Sequence, residues 1–202
     1  SSAASDVYKR QIALTGDIVD EDHDSISSVE DLLKGIKDLA PIYFVTGNHE
    51  LTSLAATQYQ ELLALFQKYG VTDLDNDSVK LKKGGQSITL YGRQYFSQYL
   101  TDSLPIASDK DFDILLYHGS DNFKEIAPYH YDLILSGHAH GGIVRLPIWG
   151  GIFGNDGTFF PEYAGGEYTI GDATLISSRG LGDASIPRFN NPPELVVIKL
   201  NP

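Results

Sequence analysis

The chain has 202 residues, 42% of them apolar, which is enough for one domain with a sizeable core. Its 15 Lys and Arg against 27 Asp and Glu give a net charge of -12, which argues against a nucleic-acid binder needing a basic face. The absence of cysteine excludes disulfides, thiolate metal sites and cysteine nucleophiles, and no apolar run reaches the roughly 18 residues of a membrane span. A phosphate substrate stays open, because bound cations reverse the sign of a site locally. Methionine is also absent, so the chain carries no initiator, and nothing in the composition fixes its compartment.

Residues 1–11 (SSAASDVYKRQ) show neither helical nor strand periodicity. Within them, residues 5–11 are similar to the in-frame translation of the transposase adapter end used in sequencing libraries. The expectation is a non-native or disordered leader over 1–11 and a domain over 12–202 that is incomplete at its N-terminus.

From Ile12 short apolar runs alternate with helical patterns. IALTG (12–16) reads as a buried strand entering a loop at Gly16 and Asp17. A helix is expected over 29–39, capped by Ser27 or Ser28 and stopped by Pro41. IYFVTG (42–47) reads as a second buried strand, and residues 54–68 as an amphipathic helix closed by Gly70. SVKLK and SITLY around Gly84-Gly85 predict a hairpin over 79–91. DILLYHG (113–119) and DLILSGH (132–138) give two more strands, each running into glycine and histidine. Beyond Gly141, glycine- and aromatic-rich loops lead to strands predicted at 174–180 and 194–200, the last preceded by Pro192 and Pro193. This alternation suggests packed sheets with helices outside.

Chemistry gathers at the strand ends, in GDIVD (16–20), GNHE (47–50), YHGS (117–120) and GHAH (137–140). The carboxyl ends of strands in an α/β sheet line a ligand crevice, so Asp17, Asn48, His49, His118, His138 and His140 can converge. Imidazole, carboxylate and amide oxygen suit Mn, Fe or Zn. Two such ions roughly 3.5–4 Å apart would activate a water and clamp a phosphoryl group. Asp22, His23 and Asp24 read as a solvated loop, and His130 as surface or packing. The Tyr and Phe residues between 149 and 168 either line an apolar substrate wall or cover a sheet edge.

These words, in this order, resemble four of the five motifs of the calcineurin-like metallophosphoesterases. The tail SGHAHGGIVRLP…SSRGLGDASIPRFNNPPELVVIKL is similar to the bacterial phosphodiesterase branch that is often anchored to the membrane by an N-terminal helix. The resemblance implies an α/β fold, a four-layer α/β/β/α sandwich lacking its first strand and helix. It implies that Asp17 bridges two divalent ions, that Asn48, His118 and His138 complete the second, and that His140 binds the first. His49 would not ligate but would protonate the leaving oxygen or stabilise charge on the phosphoryl group, while Asp20 and Glu50 would orient ligands. The family's Asp-x-His motif does not precede GDIVD here, so the first metal site is expected to be incomplete and activity impaired.

The implied reaction is hydrolysis of a phosphodiester or pyrophosphate of a small-molecule or lipid substrate by direct attack of metal-activated water. A membrane-associated parent protein is implied by the branch alone, and oligomeric state is left open. A phosphomonoesterase or protein phosphatase on the same site, and a non-catalytic metal-binding module, are the alternatives. Arg145 and Arg179 are candidates for a substrate phosphate, Arg179 the better one, with structural pairing to acids equally open.

Overall fold

A computed structural model describes residues 11–19, 25–83, 85–95, 100, 104–108, 111–154, 157–182 and 187–200. All but Gln11 of the expected leader, together with Asp20, residues 21–24 and Gly84, lies outside them.

Two sheets carry the domain. The first joins β1 (Ile12–Leu14), β2 (Ile42–Phe44) and β3 (Val71–Asp73), all parallel, in the order β1-β2-β3. The second contains β4 (Ser78–Lys83), β5 (Gln86–Arg93), β6 (Phe112–Gly119), β7 (Leu133–Gly137), β10 (Gly166–Ile170) and β11 (Ala173–Ser177), in the order β10-β11-β7-β6-β5-β4. Its four central strands β5, β6, β7 and β11 run parallel, while β4 and β10 are antiparallel flanks. Between β7 and β10, β8 (Val144–Leu146) and β9 (Gly150–Phe153) form a separate two-stranded ribbon.

Side-chain alternation along the strands produces the layers. Ile42 and Phe44 on β2 face α1 (Ser25–Ile36) and α3 (Ala56–Tyr69) through Val29, Leu33, Leu62 and Phe66; the rings of Phe44 and Phe66 lie 4.7 Å apart. The intervening Tyr43, with Val45, points the other way, onto Leu90, Ile114, Leu116 and Leu133 of the second sheet. Leu115, Tyr117, Ile134 and Leu175 occupy the far face of that sheet, under α4 (Phe123–Ile126) and the 3-10 turn Ala127–Tyr129. Helices, sheet, sheet and helices are therefore the four layers of the expected sandwich. No helix among the described residues is long and apolar enough to cross a membrane.

Several expected boundaries move. The first helix begins at Ser25 and ends at Ile36, so Ser27 and Ser28 lie inside it rather than capping it. It ends before Pro41, whose carbonyl accepts the N–H of Ile12. A short helix α2 (Asn48–Thr52) and strand β3 were not foreseen, nor were β8, β9 and β10.

The strand expected over 194–200 does not form. A strand exists only through pairing, and this segment pairs with no other strand among the described residues. It is held at its start, where Glu194 N–H donates to Gly180 O and the Glu194 carboxylate binds Arg179. Leu195 and Val197 beyond it are 77% and 85% exposed.

Candidate metal centre

The parallel strands of both sheets end on one side, and the candidate residues meet there. Gly16 follows β1 at φ +85 and Asp17 at φ +52, a tight left-handed turn that brings its loop against the loop after β2. A Cβ on Gly16 would lie 2.5 Å from Gly47 N and 2.8 Å from His118 Nδ1, so the approach requires glycine. Glu50 locks the two loops together. Its carboxylate, 1% exposed, accepts the N–H groups of Asp17 (2.9 Å), Ile18 (2.8 Å), Val19 (3.3 Å) and Gly47 (2.8 Å). Burial, then the charge of Asp17, push the Glu50 carboxyl above the usual range; the main-chain donors oppose that rise.

His118 is the penultimate residue of β6, within an irregularity in the pairing with β7 that falls between Leu116 and Gly119. His118 Nδ1 lies 2.7 Å from Thr15 O, a geometry that places the proton on Nδ1 and leaves Nε2 with its lone pair. Around that Nε2 stand Asp17 Oδ2 at 3.0 Å, Asn48 Oδ1 at 3.1 Å and His138 Nδ1 at 3.0 Å. One nitrogen cannot satisfy three such atoms by hydrogen bonding. A cation can: ligands at about 2.0–2.2 Å from a common ion stand about 3 Å from one another. Burial disfavours the charged form of His118, but Asp17 beside it outweighs that and raises its pKa, while the Asp17 carboxyl is held below its usual range. The donor set of one carboxylate, one amide oxygen and two imidazoles fits a divalent ion of the Mn, Fe or Zn type.

His138 and His140 leave β7 in left-handed backbone, φ +67 and +48. With Asp17 these are three non-glycine residues in a costly conformation, gathered at one place. His138 joins the Asp17–His118 cluster. His140 does not: its Nδ1 lies 3.4 Å from Arg188 Nη2, and its carbonyl accepts from Asn191 Nδ2 at 2.6 Å. Burial, then the Arg188 charge, depress the His140 pKa to about 4. His49 overhangs the cluster, with Nε2 3.8 Å from Asp17 Oδ2 and Nδ1 buried without a hydrogen-bond partner among the described residues.

Two residues near the site were not singled out from sequence. Tyr95 stacks edge-on against His118 at 5.1 Å and lies 5.2 Å from the His138 ring, its hydroxyl 3.4 Å from His138 Nε2. Gly119 makes room for it, since a Cβ there would lie 2.9 Å from Tyr95 Cε2. Tyr95 follows β5, so the same strand-end rule would have found it had that strand been read as a parallel neighbour of β6. Arg188 lies well beyond the end of β11 at Ser177 and gave no such signal. The favoured Arg179 is occupied by Glu194, with Nη2 2.9 Å from Oε1, and Arg145 Nη1 holds Gly141 O at 2.6 Å. His130 is exposed at the end of the 3-10 turn, apart from the site.

The sequence profile of the family described as calcineurin-like phosphoesterase matches residues 8–142, a span that includes Asp17, Asn48, His49, His118, His138 and His140. The chain belongs to that family.

Among its curated relatives, the metallophosphoesterase YkuE of Bacillus subtilis is 29% identical over 197 residues, covering 94% of this chain and 67% of YkuE. The phosphodiesterase YaeI of Escherichia coli is 26% identical over 191 residues, covering 94% of this chain and 69% of YaeI. The chain thus spans about two thirds of the length of these family members. Among solved structures, the sulfate thiohydrolase SoxB of Thermus thermophilus superposes with a TM-score of 0.52 at 16% identity, over 83% of this chain and 33% of that one. That likeness concerns the fold, a mixed α/β sandwich shared by the family member and SoxB.

Proposed function

We propose that the chain is a metal-dependent phosphoesterase that hydrolyses phosphodiester or pyrophosphate bonds, with one divalent ion held tightly by Asp17, Asn48, His118 and His138. The observation that carries this reading is the set of three potential ligand atoms, two oxygens and one imidazole nitrogen, around His118 Nε2. Membership of the family and similarity to the phosphodiesterase YaeI favour a phosphodiester over a monoester.

A divalent ion at this place would acidify a water and offset charge on the phosphoryl oxygens. The chain's own groups do the rest. Thr15 O fixes the His118 tautomer, Glu50 holds both loops in register, and His49, 3.8 Å from Asp17, would protonate the leaving oxygen or stabilise charge on the phosphoryl group. His140 stands apart from the cluster, beside Arg188, so a second ion at Asp17 and His140 would have two donors from the described residues and be held weakly. Turnover is therefore expected to be slow.

Hydrolysis of bis-p-nitrophenyl phosphate and of p-nitrophenyl phosphate, with and without Mn, tests the proposal. We expect Mn-dependent release that favours the diester, and a loss of at least about 100-fold in Asp17→Asn, the scale of a lost charge-stabilising group. Hydrolysis unaffected by metal, or by this substitution, would overturn it.

A further inference from the structure

The β8–β9 ribbon grows directly out of the loop that bears the metal-site histidines. Val144 lies four residues beyond His140, and Gly141, Gly142 and Gly151 are in close apposition. A Cβ on Gly151 would lie 2.9 Å from Gly141 O, and one on Gly142 2.8 Å from Gly151 Cα. From this fixed root the ribbon carries apolar side chains into solvent. Ile148 at its tip is fully exposed at 102%, and the neighbouring Trp149 is 68% exposed. Ile148 is also a β-branched residue at φ +76, a strained conformation that no packing offsets.

Further exposed apolar side chains lie beyond the tip. The Phe160 ring stands 6.5 Å from Trp149, and its N–H donates to Ile152 O at 2.8 Å. Phe159 stands 5.3 Å from Phe153, and Phe189 bridges to Val144 along the other strand. Leu146, Phe159, Phe160 and Phe189 are all exposed. An exposed apolar cluster of this kind marks a binding site.

Charge at the root says what kind. The chain has five arginines and a net charge of -12, yet Arg145, Arg179 and Arg188 all gather at the base of the ribbon. Arg145 binds Gly141 O, Arg188 lies against His140, and the Arg179 side chain, paired with Glu194, passes Gly141 and Gly165, so the arginines outweigh the carboxylate set among them. A cationic root beside the metal loop and an apolar blade extending from it complement a molecule with an anionic head and a hydrocarbon tail.

We propose that the ribbon seats the hydrocarbon part of the substrate, which is an amphiphilic phosphoester, with its phosphate between the metal loop and Arg188. The inference rests on the phosphoesterase reading above and deepens it. A sugar phosphate or a free nucleotide would leave the blade uncovered.

Trp149 is the chain's single tryptophan, so its fluorescence reports on the ribbon alone. The probe is dioctyl phosphate below its micellar concentration, compared with dimethyl phosphate for the head and octyl glucoside for a tail without charge. We expect a blue shift and protection from quenching with dioctyl phosphate at concentrations at least about tenfold below those of either comparison compound. The response should be lost in Phe160→Ser, whose exposed side chain leaves the fold intact, and weakened in Arg188→Gln. No shift, or an equal response to octyl glucoside, would overturn the proposal. So would a shift that follows protein concentration and dimer formation in light scattering, which would make a second copy the occupant. Bis-p-nitrophenyl phosphate hydrolysis by the parent chain separates the two readings: metal-dependent hydrolysis with no dioctyl phosphate response defeats this inference alone, while a response without any metal-dependent hydrolysis defeats the reading beneath it.

Discussion

His118 Nε2 and His138 Nδ1 face each other at 3.0 Å, nitrogen to nitrogen, from the ends of neighbouring parallel strands. Asp17 Oδ2 lies 3.0 Å from the same His118 nitrogen. Lone pairs brought this close in a buried place repel unless a proton or a cation lies between them. Divalent ions should therefore stabilise the fold. At a concentration near 100 times the Kd, binding contributes about 2.7 kcal/mol, which for a chain of this size raises Tm by roughly 5–10 °C. Thermal unfolding with Mn or Zn, reversed by chelator, reads this directly; a Tm indifferent to both would count against the cluster as a cation site.

Glu50 should matter more to architecture than to chemistry. Glu50→Gln replaces one acceptor oxygen by an amide NH2 directed at main-chain N–H donors, leaving at least one buried group unsatisfied at a cost of about 1–3 kcal/mol. We expect a lower Tm and a metal affinity reduced by about 10–100-fold, as for groups that orient ligands. Unchanged unfolding and unchanged affinity would remove Glu50 from this role.

Tyr95 acts through the rings it touches. Tyr95→Phe keeps the edge-on packing against His118 and removes the hydroxyl beside His138 Nε2, so calorimetry should show a metal affinity weakened by less than about tenfold. Tyr95→Ala removes the ring as well and should weaken binding further. Equal, wild-type affinity in both variants would show that the ring does not position the histidines.

His140 sets a pH dependence for the metal-free protein. Its folded pKa is about 4 against about 6.5 in an unfolded chain. Between those values the unfolded chain binds a proton that the folded one refuses, so stability is full above about pH 6.5 and declines as pH falls toward 4. An NMR titration should place His140 near 4 and find it higher in Arg188→Gln, because the Arg188 charge is part of the cause. A His140 pKa at its ordinary value would contradict this environment.

The parts of the site that were legible in the sequence are those where an apolar strand and a polar loop word are contiguous. Asp17, Asn48, His118 and His138 could be placed at strand ends because each follows its strand within a few residues. The resemblance assigns His140 to the other ion, and the structure keeps its ring out of the His118–His138 cluster and beside Arg188. Tyr95 and Arg188 reach the site through sheet order and a returning loop, relationships that no local pattern encodes. The same limit applies to 194–200: its alternation of apolar residues is strand-like, but pairing is a property of a neighbour. The ribbon β8–β9 escaped notice because its glycines and aromatics lack the period-2 pattern of a half-buried strand.

Metal stoichiometry tests the centre most directly. The purified chain, stripped with chelator, dialysed against Mn and analysed by elemental mass spectrometry, should retain one ion per chain, and His118→Gln should retain none. No retained ion, two tightly held ions, or one ion that survives His118→Gln would each contradict a single site built on Asp17, Asn48, His118 and His138.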